Sequence, residues 1–428
     1  MSRMGPSKQR FDAREMTNPA LRNHAQNIID RCRELARITD VPGQTTRLFL
    51  SPATRDAHTL LLWWMRQAGL EGRVDDAGNL RGVRLASDPS APRVVLFSHI
   101  DSVPDAGAFD GPLGVVLAIE ALGMLAEETL PFSVEVIAFS EEEGIRFGFP
   151  FFGSMAVTGQ VVSATLDRRD QDGVSVAEAL YAFGLRPQNI AHSCALAPET
   201  FAALEVHIEQ GPVLEAENLQ LAVVEAIVGQ SRFELTFTGE ANHAGTTPMR
   251  LRHDALAAAA QWVTDVERYA ANYQQLVATV GQLEVSPGVV NVVPGNVRAT
   301  LDVRHPKDES RHAAVANLLT KAELAAAQRG VHVGAKAMSK QAAVPMNREL
   351  TVALQQAAAR AGYEAHQIFS GAGHDAMILA THVPATMLFL RSPGGLSHHP
   401  DETVRVEDVE AALATVLQFL RGLTPPCR

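Results

Sequence analysis

The chain has 428 residues, 46% hydrophobic and 20% charged, a globular balance on a length too great for one ordinary core, so two domains are expected. No apolar run reaches the ~18 residues needed to span a bilayer, and residues 1–15 lack the apolar centre of a signal peptide, so a loose N-terminal tail and a cytoplasmic location are expected. The net charge of -11 comes without any Lys/Arg cluster or stripe, which argues against nucleic acid and leaves any anionic substrate to a few local Arg or His side chains.

Residues 19–38 place apolar side chains at helical spacing (Leu21, Ile28, Ile29, Cys32, Leu35), with Asn18 as a cap and Pro19 in the first turn. A second amphipathic helix is expected over 58–70, ended by Gly69, with Trp63 and Trp64 read as packing. The near-continuous apolar run at 93–99 suits a strand buried on both faces. A buried helix over 114–126 and a second buried strand over 132–139 follow, and that order argues for an α/β domain with parallel strands.

The pattern changes near Gly229. Residues 231–238 alternate apolar and polar (Phe233, Leu235, Phe237), as a half-exposed antiparallel strand does. An Ala-rich helix is expected over 253–269, strands around 278–285 and 296–303, and a helix over 310–328. This block of about 110 residues approaches a ferredoxin-like plan. After Ala343 the buried pattern returns, with a helix at 349–361 and a strand at 385–390. One domain is thus inserted into another: residues 1–229 and 340–428 form the first, and 230–339 the insertion. The C-terminal residues 424–428 carry no readable function.

Chemistry-bearing residues gather at predicted strand ends and glycine loops. His99 and Asp101 sit two apart at the carboxyl end of a buried strand, where side chains share a face and active sites of open α/β sheets collect. They suit a metal-ligating His with a carboxylate orienting it. Asp110, in Phe109-Asp110-Gly111, could bridge two cations, and it could equally be a turn residue. Glu141, Glu142 and Glu143 follow the second buried strand. They are either a solvated charge run or, with a metal, a ligand beside a general base. His207, and His398 with His399, complete a set suited to zinc, manganese or cobalt. Cys32, Cys194 and Cys427 are odd in number and far apart, which argues against a disulfide framework or a thiolate zinc site. The insertion carries Asn242-His243-Ala244-Gly245-Thr246-Thr247-Pro248, Asn291 within an apolar run, and Arg304 at a strand end. Asn291 must find hydrogen bonds there, and Arg304 could grip a carboxylate or form a surface ion pair.

The segments 99–111, 142–153, 207–212, 242–249 and 370–400 together resemble the dinuclear-metal amidohydrolases of the M20 peptidase superfamily. The motifs His207-Ile208-Glu209-Gln210-Gly211-Pro212 and His243-Ala244-Gly245-Thr246-Thr247-Pro248-Met249 resemble its branch of N-carbamoyl-L-amino-acid hydrolases, β-ureidopropionases and allantoate amidohydrolases. The resemblance implies an α/β, metallopeptidase-like catalytic domain with a mostly parallel central sheet, plus an inserted ferredoxin-like α+β domain serving as lid and homodimer interface. It implies two divalent ions per subunit (zinc, or manganese, cobalt or nickel) held by His99, Asp110, Glu143, His207 and His398, with Asp110 bridging. Asp101 would orient His99, Glu142 would be the general base, and Glu141 would lie outside the ligand set. His243 would stabilise an oxyanion at the partner subunit's site, while Gln210, Asn291 and Arg304 would hold a small ureido acid. The chain departs from the family pattern at Asp105-Ala106-Gly107, with one glycine where two adjacent ones are usual, and at Met155, where Arg is common.

The expected reaction is hydrolysis of a linear amide or ureido C–N bond in an N-carbamoyl-L-amino acid or allantoate. An aminoacylase or dipeptidase is the enzymatic rival, and a non-catalytic binding protein the rival from another class.

Overall fold

The computed structural model describes residues 19–88 and 90–426. The tail expected at 1–15, the Asn18 cap and Cys427 lie outside them. The chain divides into two compact units. One runs through Val223 and takes up Asn347–Gln367 and His374 onward; the other comprises Val224–Met346 and Ile368–Gly373. Among the described residues, no helix is long and apolar enough to cross a membrane.

The first unit is built on a mixed sheet whose order is Glu71–Val74, Leu80–Arg84, Ser133–Phe139, Arg93–His99, Thr200–Ile208 and Ala385–Leu390, followed by the strand beginning at Leu221. The four strands from Ser133–Phe139 to Ala385–Leu390 run parallel. Their near-continuous Val, Ile, Leu, Ala and Phe content reflects burial on both faces. The outer strands pair antiparallel. The helix Pro112–Met124 is apolar but for Glu120, which pairs with His24 and Arg31, and is buried from Pro112 to Leu122, as a helix packed on nearly every side must be. Helices Pro19–Ala36 and Val406–Gly422 pack beside it, placing Cys32, Leu35, Val409 and Leu413 in one core with Leu113 and Ile119.

The second unit has an antiparallel sheet in the order Leu283–Ser286, Asn296–His305, Gly229–Thr238 and His332–Gln341. Helices Ala255–Ala271 and Asp308–Ala327 close its core, where Trp262 lies against Phe237 and donates Nε1–H to the Leu318 carbonyl at 2.9 Å.

Three local expectations are corrected. The second helix spans Pro52–Gln67, because Ser51 accepts the Thr54 amide and Pro52 suits the first turn. Trp64 is buried, but Trp63 is 53% exposed. The single strand expected near 278–285 is two, Val277–Thr279 and Leu283–Ser286. Both pair with Asn296–His305, but the register slips by one residue between Thr279↔Asp302 and Leu283↔Ala299.

His58 sits in the first core with both ring nitrogens lacking hydrogen-bond partners and its ring edge-on to Phe183 at 5.9 Å. Burial, reinforced by Arg47 and Arg55, pushes its pKa down to about 4. The unfolded chain therefore binds this proton first as pH falls from about 6.5. His58's contribution is fully present above that pH and is lost as pH falls towards 4, on the order of 2–3 kcal/mol. Denaturant titrations of the wild type and His58→Phe across pH 7 to 4 should show a flatter profile for the variant. Parallel profiles contradict this reading of His58.

Candidate metal centre

The parallel strands deliver the site at their carboxyl ends. Phe97 pairs with Glu205, and Phe389 with His207, so two residues further along His99 and His207 stand side by side on one face of the sheet. Their rings stack 5.5 Å apart at 25°. His99 Nδ1 lies 3.1 Å from the Asp101 carbonyl, and His207 Nδ1 lies 2.9 Å from the Ile208 carbonyl. Each carbonyl favours a proton on Nδ1 and turns Nε2 inward. The two Nε2 atoms face each other at 3.3 Å.

Asp110 enters from the turn before the buried helix. Gly111, at φ +83°, follows it, and a Cβ there would lie 2.4–2.6 Å from the His99 ring. Only glycine permits both the conformation and the approach. Asp110 Oδ1 is 3.6 Å from His99 Nε2 and 3.2 Å from His207 Nε2. Its Oδ2 is 3.3 Å from His398 Nε2, which is 3.4 Å from Glu143 Oε1. Two groups of potential ligand atoms thus share one carboxylate: His99, Asp110 and His207; and Asp110, Glu143 and His398. Asp110 Oδ1 is buried without a hydrogen-bond partner. An orphaned carboxylate oxygen among inward-turned imidazole nitrogens fits a pair of divalent cations.

The acid strand end is folded around Asp101. Its carboxylate accepts the amides of Glu142 at 3.1 Å and Glu143 at 3.0 Å, while its nearer oxygen is 3.7 Å from His99 Nδ1. The expected orientation of His99 by this residue therefore comes from its carbonyl; the carboxylate fixes the turn that presents Glu142 and Glu143. Glu142 is buried, with Oε2 4.0 Å from His99 Nε2. Glu141 turns away, accepting the Arg146 and Phe147 amides. Gln210 donates to Asp110 Oδ2 at 2.8 Å, as does Ser397 Oγ at 2.6 Å. Glu141, Gln210 and His398 all adopt left-handed φ of 52–57°, a conformation that costs energy for non-glycine residues and clusters at functional sites.

Burial acts on these groups first, and the neighbours then oppose or reinforce it. His99 would be lowered by burial, but Glu142, Asp110 and Asp101 hold it well above the usual imidazole range. Asp110 would be raised by burial, but His207, His398 and His99 hold it well below the carboxylate range. Hydrogen bonds to Asp110 and Glu143 push His398 up to about 10. Burial and the surrounding carboxylates raise Glu142.

Several residues of this site had no role assigned from sequence. His374 is buried with its ring 4.6 Å from that of His207. Asp375 and Glu205 are fully buried acids, and Glu205 accepts the Ala376 amide at 2.8 Å. Glu205 was detectable: an acid inside an apolar strand, two residues before His207, shares its face.

The second unit holds the remaining sequence candidates. His243 Nδ1 accepts the amides of Gly245 at 3.1 Å and Thr246 at 3.2 Å, which leaves Nε2 as the donor of the neutral ring. The strands Asn242–His243 and Val292–Val293 pair, placing Asn291 beside His243 in the chain fold, with the Asn291 carbonyl accepting Ala244 N at 2.9 Å. Asn291 itself is exposed, as are Val289 and Val290, while Val293 is buried. Arg304 lies elsewhere on that unit's sheet. Asp302 grips it through Nε and Nη2, each at 3.0 Å, and its Nη1 donates to the Gly371 carbonyl at 2.6 Å.

A mostly parallel α/β sheet carrying a carboxylate shared by two His/Asp/Glu groups is consistent with a dinuclear metal centre. The chain belongs to peptidase family M20/M25/M40, whose model matches residues 95–422, and within it to the hydantoinase/carbamoylase branch of amidohydrolases. It is 38% identical over 405 residues to an N-carbamoyl-L-amino-acid amidohydrolase of Paenarthrobacter aurescens, covering 93% of this chain and 98% of that one. It is likewise 38% identical over 427 residues to a probable allantoate deiminase of Oryza sativa subsp. japonica, covering 91% and 87%. The crystal structure of a hydantoinase/carbamoylase family amidase from Burkholderia multivorans superposes with a TM-score of 0.88 at 34% identity, covering 94% and 98%.

A cation at these groups competes with protons for the same nitrogen and oxygen atoms. Calorimetric titration with a divalent ion at pH 7, in two buffers of different ionisation enthalpy, should register net proton release of at least about one per chain, with affinity rising as pH rises. Buffer-independent heats and a flat pH dependence contradict the assignment.

Proposed function

We propose that the protein hydrolyses a linear amide or ureido C–N bond in a small carboxylate-bearing substrate, an N-carbamoyl-L-amino acid or allantoate. Water adds to the carbamoyl carbon, the C–N bond to the rest of the substrate breaks, and the carbamic acid released decomposes to ammonia and carbon dioxide. The observation that carries this reading is Asp110 shared between two ligand groups, with the buried Glu142 carboxylate beside them.

In this reading His99, Asp110, Glu143, His207 and His398 hold two divalent cations, which supply a water of lowered pKa and polarise the carbonyl. Glu142 accepts the proton of the attacking water and returns it to the leaving nitrogen. Its raised pKa suits a group that must both take and give a proton. His243, with Nδ1 saturated by two amides, donates from Nε2 to the oxyanion developing at the partner subunit's site, a contact worth roughly 2.7–4 kcal/mol in comparable sites. Asn291, Gln210 and Arg304 recognise the substrate's polar groups and carboxylate, with Arg304 steadied by Asp302. The inserted domain, residues 230–339, acts as lid and homodimer interface. The similarity to a carbamoylase and to an allantoate deiminase supports this substrate class, and the peptidase family supports an aminoacylase or dipeptidase as the rival.

Glu142→Gln should keep the wild-type metal content and lose about 10²–10⁴-fold in kcat; near-normal turnover rejects Glu142 as the base. N-carbamoyl, allantoate, N-acyl and dipeptide substrates compared side by side should show the highest kcat/KM on a ureido acid. A dominant N-acyl or dipeptide activity overturns the substrate assignment. Arg304→Ala should raise KM for the ureido acid strongly and leave the KM of its carboxamide analogue little changed, because only the carboxylate loses a charged partner. Equal effects on both argue against a carboxylate clamp.

A further inference from the structure

The turn carrying Asp110 has no regular secondary structure to hold it. Between the Arg93–His99 strand and the Pro112–Met124 helix the chain crosses residues 100–111 with irregular backbone. Yet Asp110 must be held closely enough for one carboxylate to face both His99/His207 and His398/Glu143. Ser397 Oγ and Gln210 Nε2 restrain its Oδ2 from the side-chain end. What restrains its backbone comes from nearly three hundred residues away.

Glu402 is buried, and its Oε1 accepts two successive amides, Phe109 N at 2.8 Å and Asp110 N at 3.0 Å. A second observation points the same way. A Cβ on Gly107 would lie 2.3 Å from Glu402 Cβ and 2.5 Å from Oε1, so the turn passes directly over this side chain and leaves no room for a larger residue at 107. Glu402 also belongs to the loop of His398: its amide donates to the His399 carbonyl at 3.0 Å, closing the turn that follows the ligand candidate. One carboxylate therefore joins the loop bearing Asp110 to the loop bearing His398. Glu402 belongs to neither group of potential metal ligands among the described residues.

We infer that Glu402 is a positioning residue of the dinuclear centre, setting the Asp110 bridge against His398 by accepting the Phe109 and Asp110 amides over the side-chain-free Gly107. This rests on the metal-centre reading above. Its action is through hydrogen-bond acceptance, which a glutamine carbonyl can reproduce and an alanine cannot. Removal of such a partner behind a metal ligand typically costs 10–100-fold in metal affinity.

The test is competitive chelator titration of the full-length protein with cobalt(II), combined with the visible absorption spectrum of the cobalt-loaded form, for wild type, Glu402→Ala, Glu402→Gln and Gly107→Ala. Glu402→Ala and Gly107→Ala should weaken cobalt(II) binding by about 10–100-fold and alter the absorption envelope, while Glu402→Gln stays within about threefold of wild type. Wild-type affinity in Glu402→Ala overturns the inference, and so does a Glu402→Gln as weak as the alanine variant, because charge or direct ligation would then be the operative property. Should Glu402→Ala fail to fold, Gly107→Ala decides alone: unchanged affinity and spectrum overturn the inference. A wild-type protein that binds no cobalt(II) defeats the metal-centre reading itself, which is a separate outcome.

Discussion

The arrangement depends on one electrostatic constraint: acceptor atoms are buried facing one another. The inward nitrogens of His99 and His207 approach to 3.3 Å beside the unpartnered Asp110 Oδ1. A low-dielectric interior makes such a concentration of lone pairs and negative charge costly unless positive charge joins it. The carboxylates accordingly hold His99 and His398 high, and the imidazoles hold Asp110 low. The carbonyls of Asp101 and Ile208 occupy Nδ1 and turn each Nε2 inward, an arrangement that fits cation ligands.

The sheet makes this arrangement rigid. Parallel strands buried on both faces end at one edge, and their register sets His99 beside His207. Gly111 lets the Asp110 turn close onto the His99 ring before the buried helix begins. Beside the site, Glu141, Gln210 and His398 adopt left-handed backbone conformations. Each is over-determined by contacts: amides on Glu141, the Asp110 carboxylate on Gln210, and Asp110 with Glu143 on His398.

Much of this was legible from residue order. The runs at 93–99 and 132–139 announced buried parallel strands, because burial on both faces removes polar alternation. The placing of His99, Asp110, the Glu141–Glu143 run and His207 at strand ends or glycine turns followed from the same pattern. What escaped was long-range. Nothing local distinguishes the carbonyl of Asp101 from its carboxylate as the partner of His99, and the two amides that claim the carboxylate become visible only once the 141–143 turn is folded. Asp375 comes from a distant segment, and its link to Glu205 through the Ala376 amide is visible only in the fold. In the second unit the alternation at 231–238 was clear, whereas the slip that divides 277–286 depends on pairing with Asn296–His305.

The most direct test of the shared-carboxylate centre is anomalous diffraction from crystals of the zinc- or cobalt-loaded protein, recorded on both sides of the metal absorption edge. Two peaks ~3.5–4 Å apart, with Asp110 between them, one adjoining His99 and His207 and the other Glu143 and His398, are the predicted result. A single peak, or peaks remote from Asp110, would contradict the account.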